Sequence, residues 1–329
     1  MAMMESDVSV AGEKADVRVA LLSDGISFWD GGGAFGLVPR VKWMKVLPPD
    51  EWNRVPQELR SVLIRADGHT ILVDCGVGTK PNDILAAQYE VRRPYGTLLD
   101  DLERHGVQPE EVDIVIFTHL HGDHSGWATE CVEEGVGCRY QPTFPNARYY
   151  VQGQEFEDAT HPNERTRNTY FAENFVPLQE YGVLTLLNGS ADITPSVRVV
   201  PTPGHTAGHQ SVIVQRRQGA GEKGSAGERE KRSEGSPSAM ASLLPHSDTP
   251  TLILGDLATF MIQFERLAWV TAYDVLPLQT IETKRYWQQW ALERQAILIS
   301  PHDTLLPSGV LKKDSKGFLQ VTQVAAGTS

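Results

Sequence analysis

Within six positions the chain carries His119, His121, Asp123 and His124, in the run Thr-His-Leu-His-Gly-Asp-His-Ser-Gly. Neutral imidazole and carboxylate together are ligands for Zn, Fe or Mn. The competing reading is a polar loop with incidental histidines, which the density of ligand types at this spacing opposes. Single residues of the same types follow at His205, Asp256 and His302. His205 lies in Pro-Gly-His-Thr-Ala-Gly-His, a loop after an apolar run, where a core role has little support. Together these positions supply five histidines and two aspartates, enough for two cations. A carboxylate has two oxygens and is the group that can bridge a pair of cations, and Asp256 is placed for that. Asp74 reads either as a support that orients a ligand or as a turn former.

These groups act together only if strands gather them. Apolar runs at 17–22, 60–65, 70–73, 114–117, 148–152, 193–200, 210–215, 251–254 and 297–300 read as strands. Asp67-Gly68 marks a hairpin between the second and third, and residues 23–25 read as a turn after the first. Five of these strands end at Asp74, the His119 cluster, His205, Asp256 and His302. Residues 84–106 are expected to be largely helical, with Leu98, Leu99 and Leu102 on one face and Gly106 as the stop. Short helices are expected at 125–132, with its N-terminus at the histidine loop, and at 153–159. A long helix at 278–296 carries Ile281, Tyr286, Trp287, Trp290 and Ala291 as a core stripe. The polar stretch 312–317 leads to an edge strand at 318–324.

Two segments resist a regular reading. Phe28, Trp29 and Phe35 flank Gly31-Gly32-Gly33, which predicts a mobile lid over a pocket or a packed irregular crossover. Residues 163–175 are too polar for core and suit a pocket mouth. Residues 216–250 are rich in Gly, Ser, Glu, Lys and Arg, the composition of a low-complexity surface insertion between two paired strands.

The chain has 329 residues, 40% hydrophobic and 22% charged, within the range of ordinary globular proteins. We read a disordered tail at 1–16, which has no apolar signal-peptide centre, and one domain over 17–329. A formal charge of -12 opposes nucleic acid or an anionic membrane as partner, since both reward clustered Lys and Arg. Three cysteines, Cys75, Cys131 and Cys138, make no disulfide framework and fit a reducing, cytoplasmic compartment. Cys131 and Cys138 are near enough in sequence to pair, but free thiols are expected. No apolar run has the length of a membrane span.

The ordered set His-x-His-x-Asp-His, His, Asp, His resembles the metallo-β-lactamase superfamily, over residues from about 17 to 302. Asp30-Gly31-Gly32 with 35–39, Arg167-Asn168-Thr169-Tyr170 and Ala272-Tyr273-Asp274 resemble the branch that holds quorum-quenching lactonases, near methyl parathion hydrolase. The resemblance implies an α+β fold, a four-layer αβ/βα sandwich. It implies that His119, His121 and His205 hold one metal, that Asp123, His124 and His302 hold the other, that Asp256 bridges them, and that Asp74 orients ligands. Zinc β-lactamases generally carry a cysteine ligand where Asp256 stands, which argues against β-lactam hydrolysis. Many homoserine-lactone lactonases place a tyrosine three residues after the bridging aspartate, where this chain has Thr259. Thr259, Tyr170 or Tyr273, or the metal alone, is left to polarise the substrate carbonyl.

The expected activity is a dinuclear-metal hydrolase, with two divalent ions, Zn first and Fe or Mn also compatible. A hydroxide shared by the ions would open a lactone ring, most of all that of an N-acyl homoserine lactone. Asp123 would carry the proton to the leaving alkoxide, and Phe28, Trp29, Phe35, Tyr170, Thr259 and Tyr273 would surround the substrate. A phosphotriesterase or other ester hydrolase on the same site is the alternative, and a non-catalytic metal-binding protein a third reading. The aromatic-rich N-terminal loop could pack in a homodimer.

Overall fold

The computed structural model describes residues 17–80, 90–134, 137–215 and 249–323. The expected tail at 1–16 and most of the expected insertion, 216–248, lie outside them. In chain order the first half contains β1 (Arg18–Asp30), α1 (Gly31–Phe35), α2 (Arg40–Trp43), β2 (Arg54–Ala66), β3 (His69–Val73), α3 (Leu98–Arg104), β4 (Ile114–Ile116), α4 (Gly122–Ser125), β5 (Thr129–Glu134), β6 (Gly137–Pro142) and β7 (Arg148–Gln152). There follow α5 (Gly153–Thr160), α6 (Val176–Glu180), β8 (Leu184–Leu187), β9 (Ala191–Thr194), β10 (Val197–Pro201), β11 (Gln210–Val214), β12 (Thr251–Ile253), α7 (Met261–Glu265), α8 (Pro277–Arg294), β13 (Ile297–Ile299), β14 (Ser308–Lys313) and β15 (Leu319–Thr322).

Alternation along the strands builds the layers. Val62 and Ile64 of β2, Ile71 and Val73 of β3 and Ile116 of β4 point into one core with Val197, Val199, Val212, Val214, Ile253 and Ile299. The first group belongs to a six-stranded sheet, order β1-β2-β3-β4-β7-β8, and the second to a seven-stranded sheet, order β15-β14-β13-β12-β11-β10-β9. Neighbours in the same strands face the other way: Leu63 and Leu72 pack with Leu98 and Leu102 of α3. On the far side Leu252 and Leu298 pack with Phe264 of α7 and Trp287 and Ala291 of α8. Strands covered on both faces need no polar face, which is why β3, β4, β12 and β13 read as unbroken apolar runs. Fully burying each Val, Leu or Ile stabilises the fold by roughly 1.5–3 kcal/mol. The result is the αβ/βα sandwich. Because β3 and β4 are parallel, and β12 and β13 are parallel, the loops that leave them open at the same edge of their sheets.

Several expected elements differ, each for a local reason. Residues 23–25 form a bulge inside one long strand, with the register shifting between Ser23 and Ile26. The bulge aims Asp24 inward, where its carboxylate accepts from the amides of Val77, Gly78 and Leu98 and from the Trp127 indole. The helix expected at 84–106 is only α3 in the described residues, of which 81–89 are not part. Pro94 and Gly96 precede it, and Thr97 caps it by accepting from the Asp100 amide. The helix expected at 125–132 is instead the single turn α4, a 3-10 turn at Gly126–Ala128 and then β5. Gly126 lies so close to Val77 that a Cβ there would come within 2.0 Å of the Val77 carbonyl. Residues 193–200 are two strands, broken where Asp67 accepts from the Ser196 amide and the Thr194 hydroxyl. Beyond β13 the sheet continues through β14 and β15.

On α8 the aromatic stripe is split. Trp287 is buried, but Tyr286 is 64% exposed, and the inner face carries Thr280, Thr283, Lys284 and Gln288 as well. Lys284 donates from Nζ to the carbonyls of Gln263 and Trp269, and burial lowers its pKa to about 8. Cys131 and Cys138 form a disulfide across the β5–β6 hairpin, where free thiols were expected, because strand pairing brings their Cα atoms to 5.4 Å. Cys75 is free and buried. β11 and β12 pair antiparallel on either side of the 216–248 segment. Among the described residues no helix is long and apolar enough to cross a membrane.

Candidate metal centre

Strand ends deliver the ligating side chains. β4 runs into His119, His121, Asp123 and His124, while β10, β12 and β13 run into His205, Asp256 and His302. All seven are buried. Three groups offer donor atoms lying within 4.8 Å of one another: His119, His121 and His205; His119, His124 and Asp256; and Asp123, His124 and His302.

Four of the five imidazoles have their outer nitrogen engaged by the protein, which sets the direction of the other. His124 Nδ1 lies 2.9 Å from Asp74 Oδ2. Asp74, at a positive φ of 59°, also accepts from the Thr118 amide and hydroxyl. His205 Nδ1 lies 3.0 Å from Asp274 Oδ1, and Asp274 is itself held by the hydroxyls of Thr271 and Thr280. His302 Nδ1 donates to the Glu58 carbonyl at 2.6 Å, and His119 Nδ1 lies 3.0 Å from Thr118 Oγ1. The remaining nitrogens point inward. They stand 3.0 Å apart between His119 Nε2 and His121 Nδ1, 3.1 Å between His205 Nε2 and His121 Nδ1, and 2.9 Å between His302 Nε2 and His124 Nε2. Lone pairs that face one another in a buried site repel unless a cation or proton sits between them. Asp256 spans the two groups, with Oδ2 3.3 Å from His205 Nε2 and Oδ1 3.1 Å from His302 Nε2. That Oδ1 is buried and has no hydrogen-bond partner. An orphaned carboxylate oxygen among converging lone pairs fits a cation pair by its donor chemistry.

Electrostatics divides the site. Burial, reinforced by the surrounding imidazoles, holds His119 and His121 well below the usual histidine range. Burial also opposes charge on His124, but Asp123, Asp74 and Asp256 outweigh it and raise its pKa to about 10. His205 is raised against burial by Asp256 and Asp274. Asp256 is held well below the carboxylate range, against burial, by His302, His205 and His124.

Four residues that the sequence reading did not assign complete the frame. His209 is buried and neutral, its pKa lowered to about 3 by burial and then by His205. Its Nε2 accepts from the Asp256 amide at 3.0 Å, and its Nδ1 bonds to Thr202. Glu155 is fully buried and accepts from the Leu120 amide and the Thr206 hydroxyl, joining the loops of His119 and His205. Asp274 fixes His205, and Gln57 Nε2 lies 3.4 Å from Asp123 Oδ2. The signal for His209 was its place in the same Gly-His loop as His205, and that for Asp274 was the Tyr-Asp pair.

The centre opens into a cavity of about 440 Å³ whose walls include Trp29, Asp123, Arg165, Asn168, Thr259 and Tyr273. Of the residues expected around the substrate, Trp29, Thr259 and Tyr273 are on this wall; Phe28, Phe35 and Tyr170 are not. Phe35 is fully buried and stacks on Trp43 and Phe260, with centroids at 5.0 and 5.5 Å. The glycine run is thus a packed crossover that begins a short helix, with the Asp30 carboxylate accepting from the Gly33 amide. Phe28 is covered by the Arg92 guanidinium, 4.2 Å above its ring. Tyr170 packs its ring on His121 and donates its hydroxyl to Glu155, away from the cavity. A larger groove of about 720 Å³ between β9, β10 and α8 shares no residue with this cavity and holds none of the ligating groups.

Fold and site together define a class: a sandwich whose strand-end loops gather imidazoles and carboxylates into a cation-binding centre. Residues 60–218 match the family model of the metallo-beta-lactamase superfamily. An N-acyl homoserine lactonase of Bacillus sp. is 33% identical over 118 residues, 36% of this chain and 39% of that relative. The chain thus aligns with about two fifths of that curated relative's length. A probable metal-dependent hydrolase from Staphylococcus aureus has a TM-score of 0.75 at 21% identity, over 95% of this chain and 99% of that one. The dizinc quorum-quenching lactonase AidC, in complex with its product N-hexanoyl-L-homoserine, has a TM-score of 0.66 at 16% identity, over 95% and 96% of the two chains.

Proposed function

We propose that this protein is a metal-dependent hydrolase that opens lactone rings, with N-acyl homoserine lactones as its substrates. The observation that carries the reading is the convergence of five imidazoles and the orphaned Asp256 oxygen beside a substrate-sized cavity that His121, Asp123, His205 and Asp256 line. The lactonase names of its sequence relatives supply the substrate class.

In this reading His119, His121 and His205 would hold one divalent cation, Asp123, His124 and His302 would hold a second, and Asp256 would serve both. Zinc is the first choice, with iron and manganese compatible. Cations so held would supply Lewis acidity, toward water and toward a carbonyl oxygen. The chain's own residues do the rest. Asp74, Asp274 and the Glu58 carbonyl keep three imidazoles aimed inward, so little reorganisation is needed when charge develops. Asp123, on the cavity wall, takes a proton and delivers it to the departing alkoxide. Trp29, Ala34 and Val275 give the cavity apolar surface that suits an acyl chain, and Arg165, Thr166 and Asn168 give it polar groups. The small-molecule substrate is the partner this cavity suits. A second copy could dock through Leu37, Val41 and Met44, which are exposed on the α1–α2 segment; sedimentation would show the dimer. A cytoplasmic location is part of the proposal, and fractionation checks it.

The test is turnover of a lactone panel by metal-loaded protein, followed as acid release, with an aryl phosphotriester run in parallel. Lactone opening that disappears on chelation and returns with zinc is expected. Phosphotriester turnover without lactone opening would replace the proposal by the ester-hydrolase alternative.

A further inference from the structure

We infer that Tyr273 is the hydroxyl that binds the carbonyl oxygen of the substrate, and that Gly33 seats it. The inference rests on the lactone reading and adds to it the residue that stands in for a tyrosine three positions after Asp256. Of the candidate hydroxyls, Tyr170 is already spent on Glu155, with its ring against His121. Thr259 lines the cavity but is buried. Tyr273 lines the same cavity as His121, Asp123, His205 and Asp256.

Its position is built from three sides. Trp29 meets the ring edge-on, with centroids 5.1 Å apart. A Cβ at Gly33 would lie 2.2 Å from the Tyr273 Oη and 2.7 Å from Cζ, so only glycine admits the phenol there. The Ala272 amide donates to the Gly33 carbonyl at 2.9 Å, which ties the tyrosine segment to α1. On either side of Tyr273 in the chain, Arg165 Nη2 donates to the carbonyls of Ala272 and Asp274, and Asp274 holds His205. The phenol and a ligating histidine are therefore fixed by one short segment. This accounts for the third glycine of the run, which the metal centre itself does not require.

Ring opening adds water across the ester. A C–O bond forms at the carbonyl carbon, the ring C–O bond breaks, and one proton passes through Asp123 to the departing alkoxide. Tyr273 keeps its proton and donates a hydrogen bond to the carbonyl oxygen as negative charge builds there.

The experiment compares metal-loaded wild type, Y273F, Y273F with T259Y, and Y286F as an exposed control. Metal content, lactone kinetics and calorimetric affinity for N-hexanoyl-L-homoserine are read for each. Y273F is expected to keep its metal, lose about ten- to a hundredfold in kcat/KM mostly through kcat, and bind the product more weakly. T259Y in that background is expected to restore part of both. A Y273F variant within about twofold of wild type in kinetics and product affinity overturns the inference while leaving the lactone reading intact. Loss of metal from Y273F also overturns it, because the tyrosine would then be a structural support. A wild type that opens no lactone overturns the lactone reading and this inference with it.

Discussion

His124 shows how far a ligand's chemistry is set by its surroundings. Three carboxylates hold its pKa at about 10 despite complete burial, so in cation-free protein the ring is protonated at neutral pH. Binding through Nε2 needs that lone pair, and the proton must leave. Cation affinity should therefore rise with pH throughout the range below about 10 and weaken as pH falls. The slope should approach about tenfold per pH unit for each proton displaced. Competition with a chromophoric chelator between about pH 6 and 8 measures it, and a flat profile would mean that His124 does not bind the cation. The sequence exposed His124 as a ligand type because its spacing from His119 and His121 is a local property. It did not expose His209, which serves the Asp256 amide from a buried position that only packing creates.

At the scale of elements, Asp24 joins pieces that no sequence pattern links. Its two oxygens gather the bulge of β1, the loop after β3, the first residue of α3 and the Trp127 indole beyond α4. Replacing it by alanine leaves several buried donors unsatisfied, each costing about 1–3 kcal/mol. Asp24→Ala should lower unfolding free energy by about 3–5 kcal/mol, read as a shift in the urea midpoint. A loss below about 1 kcal/mol would show that water replaces the carboxylate. Strands were legible here because both sheets are covered and their apolar runs are unbroken. The short elements were not. Residues 125–132 read as a helix in the sequence because the turn into β5 depends on the Gly126–Val77 approach, a contact far apart in sequence.

For the whole molecule, the centre joins the two sheets. His119, His121, Asp123 and His124 come from the first sheet, while His205, Asp256 and His302 come from the second. Cations bound there stabilise only the folded arrangement. At a thousandfold excess over Kd they contribute about 4 kcal/mol. Stripping metal with a chelator should lower Tm by several degrees, and zinc should restore it. An unchanged Tm would place the cations elsewhere or make their binding weak.

By itself the sequence determined which side chains could ligate a cation, and that nearly all of them follow strands. Both follow from residue type and local periodicity. It also determined that the first aromatic and glycine-rich segment needed a special backbone, but not whether that segment was lid or core. Tertiary structure decided that Phe35 is core, that Tyr170 faces Glu155 and that Tyr273 reaches the cavity. It also decided that the imidazole lone pairs converge, since their directions are set by Asp74, Asp274 and the Glu58 carbonyl. Those partners come from other strands and loops, so the orientation of each ring exists only once the sheets have packed.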